Sequence, residues 1–418
     1  MSKYIRHEKS QRKHPVASSA ASLIKPPLVP IAPKERPGWK GPGFVKKTQK
    51  QPAVKVGLSK PGNLAPVIQQ QYLPLQLQQL LLNVLRTAFP VCQDYETIKP
   101  ILQEIRLAIH DGNFEKAFSR PDQSEAYAVR WSSVRALCCA TVILEILQGF
   151  SKETWVNDFL DHAHDSETSP RATCLGGGVT ELLTFAMVVR HIRHLTGLHS
   201  QVDGQHVTDD VSHNQASYTR GLDLYLVDRA NWAPAVSSLE KELLARPVLS
   251  KYASQSAILK NTSFTASDDL RVSFQQCDIL EISQKDLAAI IGQVPTLTTL
   301  FFTLGDLCTT STAKAAALLL MLTLEAPRDS LLLVVDSAES THDLVAANEA
   351  GKKPKRHGIS NFLDLVLMQK LDSEAADGET VWEELIRDRN RLFRVADGLG
   401  FPLSLDHVNF QLHLFKKR

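Results

Sequence analysis

Three consecutive glycines, Gly176, Gly177 and Gly178, restrict this chain more than any other stretch. They follow the short apolar run Arg171–Leu175 and precede Val179, Thr180, Glu181 and a mostly apolar run from Leu182 to Val189. The pattern reads as a strand, a tight turn and a helix start. Glycine lets a backbone come close to a ligand, and a helix N-terminus offers unpaired N–H groups. After the first strand of a doubly wound sheet, such a turn is the usual cradle for a nucleotide. A tight loop without a ligand gives the same letters, because a single Gly-rich turn is a weak motif.

The stretches that follow decide between these readings. Leu222–Asp228 is a strand ending in an acid, and Val272–Leu280 carries Asp278 near its end. Thr298–Leu304 leads into Gly305 and Asp306, a helix covers Thr312–Leu324, and Leu331–Asp336 closes the series. The more continuously apolar of these strands suit a parallel sheet covered on both faces. Ligands of open α/β sheets bind at the C-terminal rim of the strands, and the glycines, Asp228, Asp278 and Asp306 all fall there. Asp228 stands where a second strand places a ribose-binding carboxylate, although a spacing of ~20 residues from the glycines is usual. A polar insertion over 197–220 accounts for the surplus. Its His199, His206 and His213 have no accompanying ligand set at familiar spacing and read as solvated, not as a metal site. A lone Asp228 would equally cap the next helix, and Asp306 the helix at 312–324.

Residues 1–75 are rich in Lys, Pro, Ser and Gln and read as a disordered tail. Residues 1–60 hold 14 Lys+Arg against 2 Asp+Glu, a balance of +12; subtraction from the totals of 47 and 45 leaves 33 against 43, or −10, for the rest. A basic arm adds sequence-independent affinity for nucleic acid; a solvated leader has the same composition. Lys46, Lys47 and Lys50 are its densest cluster, with Trp39 and Phe44 nearby. A Lys-rich loop is expected around Lys352–Arg356. Residues 76–165 read as a helical subdomain and 166–418 as the α/β domain. The six cysteines include no C-x-x-C pair and read as buried, reduced thiols. No unbroken apolar run reaches the ~20 residues of a membrane span. The expected setting is nucleus, nucleolus or cytoplasm, without membrane or metal, as a monomer.

Two cofactor families use such a rim. A nicotinamide fingerprint wants G-x-G-x-x-G, and here Glu181 stands where the third glycine belongs. An acid after the third strand, Asp278, favours S-adenosylmethionine, as does a late C-terminal antiparallel pair. At this point the chain resembles the fungal family of large-subunit (25S) rRNA uridine-N(3) methyltransferases. The resemblance covers roughly residues 76–418. It rests on Tyr127 with Arg130-Trp131-Ser132 and Arg135–Cys138, on Cys174–Gly178, on Phe302–Asp306, and on Leu392–Arg394 with Phe410–Leu414. Thr180 stands near where that family often has a further glycine, and Gly305 where a polar residue is expected.

What the resemblance implies is specific. The fold would be a Rossmann-like class I methyltransferase sheet with parallel strands and a C-terminal antiparallel strand. Gly176, Gly177 and Gly178 would pass under the methionine part of S-adenosylmethionine. Asp228 would hold the ribose, and Asp278 with Ile279 the adenine, near Thr303 and Leu304. Asp306 would take or orient the proton of the uracil ring nitrogen. Tyr127, Arg130 and Trp131 would form a lid over the pocket, although an arginine-flanked core tryptophan reads the same way. The partner would be rRNA or a pre-ribosomal particle. The shortened glycine motif also admits a non-catalytic assembly or RNA-binding factor on the same scaffold, and the acidic body a protein or small-molecule methyltransferase.

Overall fold

The computed structural model describes residues 72–160, 169–202, 221–259, 261–338, 341–342, 357–368 and 380–418. Residues 1–71 of the expected tail, 203–220 of the expected insertion with His206 and His213, and Lys352–Arg356 lie outside the described residues; the expected tail gives way earlier, with Leu73 already buried, and the first six residues of the expected insertion, His199 among them, continue a helix.

The chain opens with helices. α1 (Leu75–Ala88) buries Leu77, Leu81, Leu82 and Leu85 along one stripe. α2 (Tyr95–His110) starts at Asp94, whose carboxylate accepts from the Thr97 backbone N–H at 3.2 Å and so caps the helix. The short α3 (Phe114–Ala117) leads to α4 (Pro121–Tyr127). A π turn at Ala128–Ser132 joins α4 to α5 (Ser133–Gly149), and α6 (Thr154–Leu160) follows.

The remaining elements alternate. They are β1 (Arg171–Leu175), α7 (Val179–Val202), β2 (Leu222–Asp228), α8 (Ala233–Leu244), α9 (Gln255–Leu259), β3 (Leu270–Gln276), α10 (Gln284–Ile291), β4 (Thr296–Phe301), α11 (Leu304–Glu325) and β5 (Leu331–Ser337). A two-stranded ladder of β6 (Thr341–His342) and β7 (His357–Gly358), then α12 (Ile359–Leu367), β8 (Trp382–Phe393) and β9 (Val408–Lys417), complete the series. The seven-stranded sheet has the order β3-β2-β1-β4-β5-β9-β8. β1 to β5 run parallel, and β9 is antiparallel to both of its neighbours. Parallel strands followed by a C-terminal antiparallel strand are the arrangement that the resemblance implies; the strand order is the structure's addition. It reverses direction between β1 and β4, which opens a crevice at their C-terminal ends.

The N-terminal helices share a core with the sheet. Leu73 to Val156 pack in one cluster with residues of β1, α7, α8 and β9. The Trp155 indole N–H donates to the Arg171 carbonyl at 2.6 Å, and Thr180 donates to the Ser132 hydroxyl at 2.8 Å. The helical wall is thereby tied to the start of β1 and the first turn of α7. Five of the six cysteines are buried and Cys277 is half-buried, all as free thiols.

Several boundaries differ from the sequence reading. β3 stops at Gln276; the Cys277 N–H still donates to the Asp228 carbonyl at 2.8 Å, and a turn over Asp278–Glu281 follows. α11 starts at Leu304 and not at 312, with a non-helical Ser311 where two helices meet. Thr303 is its N-cap residue and Asp306 lies in its first turn, so Asp306 is not a cap. Among the described residues, two helices, Pro121–Gly149 and Leu304–Glu325, are long and apolar enough to cross a membrane, and scattered Ser and Thr hide both from a search for unbroken apolar runs. In the first, 78% of the most apolar window is buried in the protein; in the second, 28%.

Candidate active site

The turn after β1 is pinned from both sides. The Gly176 and Gly177 N–H groups donate to the Val227 carbonyl of β2 at 2.8 and 3.1 Å. Gly176 has a φ of +75°, and a Cβ there would lie 2.2 Å from the Thr303 methyl group. A Cβ on Gly178 would meet the Trp232 ring at 2.8 Å. The glycines therefore let the strand ends and Trp232 close around one crevice.

The acids of the neighbouring strands converge on that crevice, a cleft of about 900 Å³ counted to its open mouth. Gly176, Gly178, Asp228, Asp278, Ile279, Thr303 and Asp306 all line it. Asp228 accepts from the Ala230 N–H at 2.6 Å, and Asp278 from the Leu280 N–H at 2.9 Å. One carboxylate oxygen of each is thus fixed by its own turn, which orients the other. The turn at Asp228 leads directly to Trp232, the N-cap residue of α8.

Glu181 joins them, and the sequence reading did not include it as a site residue. It is 3% exposed and accepts the Gly178 N–H at 2.6 Å. Burial raises its carboxyl to about 7, against the pull of that hydrogen bond. Burial also raises Asp228 to about 7, while the Ala230 N–H and Trp232 draw it back down. Asp306 is raised to about 6, by the enclosing walls first and by the nearby Asp336 charge second. Its exposed surface is in the cleft itself.

The helical segment supplies the opposite wall. Phe118, Tyr127 and Trp232 form a continuous aromatic cluster, with centroids 5.1 to 5.8 Å apart. Tyr127 accepts a hydrogen bond from Arg135, whose guanidinium carbon lies 4.5 Å from the Phe302 ring centroid. Arg229 sits over Phe114, 4.9 Å from its centroid. Phe114 and Phe118 come from a four-residue helix and its exit, where no periodicity marks them.

Some residues suggested by sequence lie elsewhere. Gly177 does not line the cleft; a Cβ there would strike Cys174. Leu304 is buried at the start of α11. Arg130 and Trp131 line a separate hollow beside the cleft. The π turn explains the split, because it shifts the helical phase between Tyr127 and Trp131.

The donor set fits one expected cofactor better than the other. Four acids, Glu181, Asp228, Asp278 and Asp306, face two arginines, Arg135 and Arg229. A pyrophosphate needs free N–H groups at the helix start, but the Gly178 N–H is already given to Glu181. S-adenosylmethionine carries a sulfonium and an ammonium against one carboxylate, so an acid-rich cleft with aromatic faces suits it. Asp228 would then face a cis-diol, which a carboxylate can accept from twice.

A pH effect follows. A cationic ligand favours ionised Glu181 and Asp228, so its binding should expel protons from groups at about 7. Affinity should rise on the order of tenfold between pH 6 and 8, one pKa unit of coupling being worth a factor of ten. Calorimetry in buffers of differing ionisation heat reads both. A dissociation constant flat over that range would mean these acids do not face the cation.

Residues 85–416 match the family described as "Putative SAM-dependent methyltransferase". A curated relative, the "25S rRNA (uridine(2843)-N(3))-methyltransferase" of Saccharomyces cerevisiae, is 23% identical over 360 residues, 84% of this chain and 88% of the relative. Among solved structures, an O-methyltransferase family protein from Burkholderia thailandensis aligns with a TM-score of 0.34 at 10% identity, over 77% of this chain and 72% of that one. A SAM-dependent methyltransferase from Anabaena variabilis aligns with a TM-score of 0.28 at 12% identity, over 68% and 95%. Scores this low add nothing to the strand order itself.

Proposed function

Because the chain belongs to this family of S-adenosylmethionine-dependent methyltransferases, we propose that it methylates the N3 ring nitrogen of a uridine in large-subunit rRNA. The observation that carries methyl transfer is the convergence of Asp228, Asp278, Glu181 and Asp306 on one cleft. The rRNA and uridine parts rest on the yeast relative, which spans most of both chains. The net charge of +12 in residues 1–60 supports an RNA partner and, with it, a nuclear or nucleolar setting.

When bound, the cofactor supplies an electrophilic methyl group on sulfur. The protein's part is to position and to move a proton. Asp278 and Ile279 would hold the adenine end, Asp228 the ribose, and Glu181 with the Gly176 turn the amino-acid end. Tyr127 and Trp232 exclude water from the aromatic side of the cleft. Asp306, with its carboxyl near 6, is poised to take the ring proton at neutral pH, since general bases work best with a pKa near the working pH. Little covalent help is needed beyond this alignment.

Labelled S-adenosylmethionine, incubated with the full chain and in vitro transcribed large-subunit rRNA, should place label in RNA as 3-methyluridine by nucleoside mass spectrometry. Label in a protein or a small molecule, with none in RNA, would overturn the RNA reading. Cofactor binding without transfer to any acceptor would favour the assembly-factor alternative.

A further inference from the structure

A second hollow, of about 750 Å³ to its open mouth, adjoins the cleft and shares Arg135 and Phe302 with it. Those two residues are the partition between the chambers. Phe302 holds a φ of +54°, a left-handed conformation that is costly for an aromatic residue. Such strain persists where the surroundings impose it, often at functional sites. Here the Phe302 N–H is bound to the Val335 carbonyl at 2.7 Å, and the Arg135 guanidinium covers the ring.

The hollow has the fittings of a base pocket. Trp131 is half-buried in its wall, its ring 5.0 Å from Tyr127. Asn409 lines it with a side-chain amide that has no hydrogen-bond partner among the described residues. His407 accepts the Val395 N–H on Nδ1 at 3.2 Å, which leaves Nε2 as the donor of the neutral ring. Across the hollow, Arg130 pairs with Asp406 and fastens the helical segment to the loop between β8 and β9. Two segments 276 residues apart thus build one chamber that adjoins the reaction cleft across Arg135 and Phe302.

We propose that this hollow receives the target uracil, turned out of its RNA strand, with Trp131 as its stacking surface and the Arg135 guanidinium donating to a carbonyl oxygen beside N3. The assignment rests on the uridine reading above. A uracil ring presents carbonyl oxygens on both sides of N3, so it needs donors there, and Arg135, Asn409 and His407 supply them. Cytosine has an amino group in place of one oxygen and would set donor against donor, which makes Arg135 a specificity-determining residue as well. As the N3–H bond breaks, its electron pair stays on the ring and the proton passes to the Asp306 carboxylate. The new charge spreads onto the flanking oxygens, where a fixed guanidinium stabilises it. The N3–CH3 bond then forms as the CH3–S bond breaks, and sulfur keeps that pair as a neutral thioether.

The test uses the full chain, in vitro transcribed large-subunit rRNA and S-adenosylmethionine. Trp131→Ala and Asn409→Ala should bind cofactor within ~2-fold of wild type, which also shows that they fold. Trp131→Ala should lose kcat/KM for rRNA by ~10-fold or more, as expected on removing a base-stacking aromatic, and Trp131→Phe should recover most of it. Arg135→Lys keeps the charge but not the fork, and should lower kcat more than it raises KM. Wild-type transfer that persists undiminished in both alanine variants overturns this assignment alone. Failure of the wild type to methylate the rRNA overturns the uridine reading, and the assignment with it.

Discussion

Asp306→Asn should lower kcat by ~10²- to 10⁴-fold, the usual contribution of a positioned general base. The residue is on the first turn of α11 and faces the cleft, not the sheet. Its carboxyl titrates at about 6 because burial and the Asp336 charge both oppose ionisation, while Arg135 and Arg229 favour it. A base must be ionised to accept a proton, so at saturating S-adenosylmethionine wild-type kcat/KM for rRNA should climb with pH through about 6 and then level off. The asparagine variant should lack that limb, and Asp306→Glu should retain it at reduced rate. If Asp306→Asn turned over at the wild-type rate, the acid would be serving only the helix dipole, a role worth ~0.3–1 kcal/mol.

The second large effect is structural. Gly176→Ala should destabilise the protein by ~2–4 kcal/mol, combining a left-handed backbone position with an overpacked contact. The added Cβ would fall 2.2 Å from the Thr303 methyl and 2.7 Å from its hydroxyl. Thr303 has little room to yield, since its hydroxyl donates to the Phe301 carbonyl at 3.0 Å. Adding Thr303→Ala should relieve the collision but not the φ of +75°, so the double variant recovers only part of the loss. Thermal unfolding of the four proteins of this cycle measures both parts. A Gly176→Ala protein melting with wild type would mean the turn relaxes freely.

What the sequence showed was the rim. β1, β2 and β5 are apolar runs ending at a glycine turn or an acid, and buried parallel strands leave that mark locally. The start of α11 left none. Leu304–Ser311 is rich in Thr, Ser and Gly, which are weak helix formers. That turn is held from outside, by the Gly305 N–H donating to Asp336 at 2.9 Å across 31 residues. Glu181 was visible only as a missing third glycine. Its role as the partner of the Gly178 N–H depends on burial, which a spacing rule does not carry. The aromatic wall was hidden for a related reason. Phe118, Tyr127 and Trp232 meet from separate segments, and their contact exists only after the helices dock.

Arg130 and Trp131 teach a narrower lesson. A regular helix through Tyr127 would carry all three on one count of 3.6 residues per turn, and the wide turn at Ala128–Ser132 breaks that count. Such a turn behaves as one surplus residue spliced into the rod. Excising a single residue there would restore an even screw and swing everything upstream by ~100° about the axis. Tyr127 would leave the cleft although no lining side chain had been altered. In this protein, the length of a five-residue stretch is therefore under as much constraint as the identity of the letters within it.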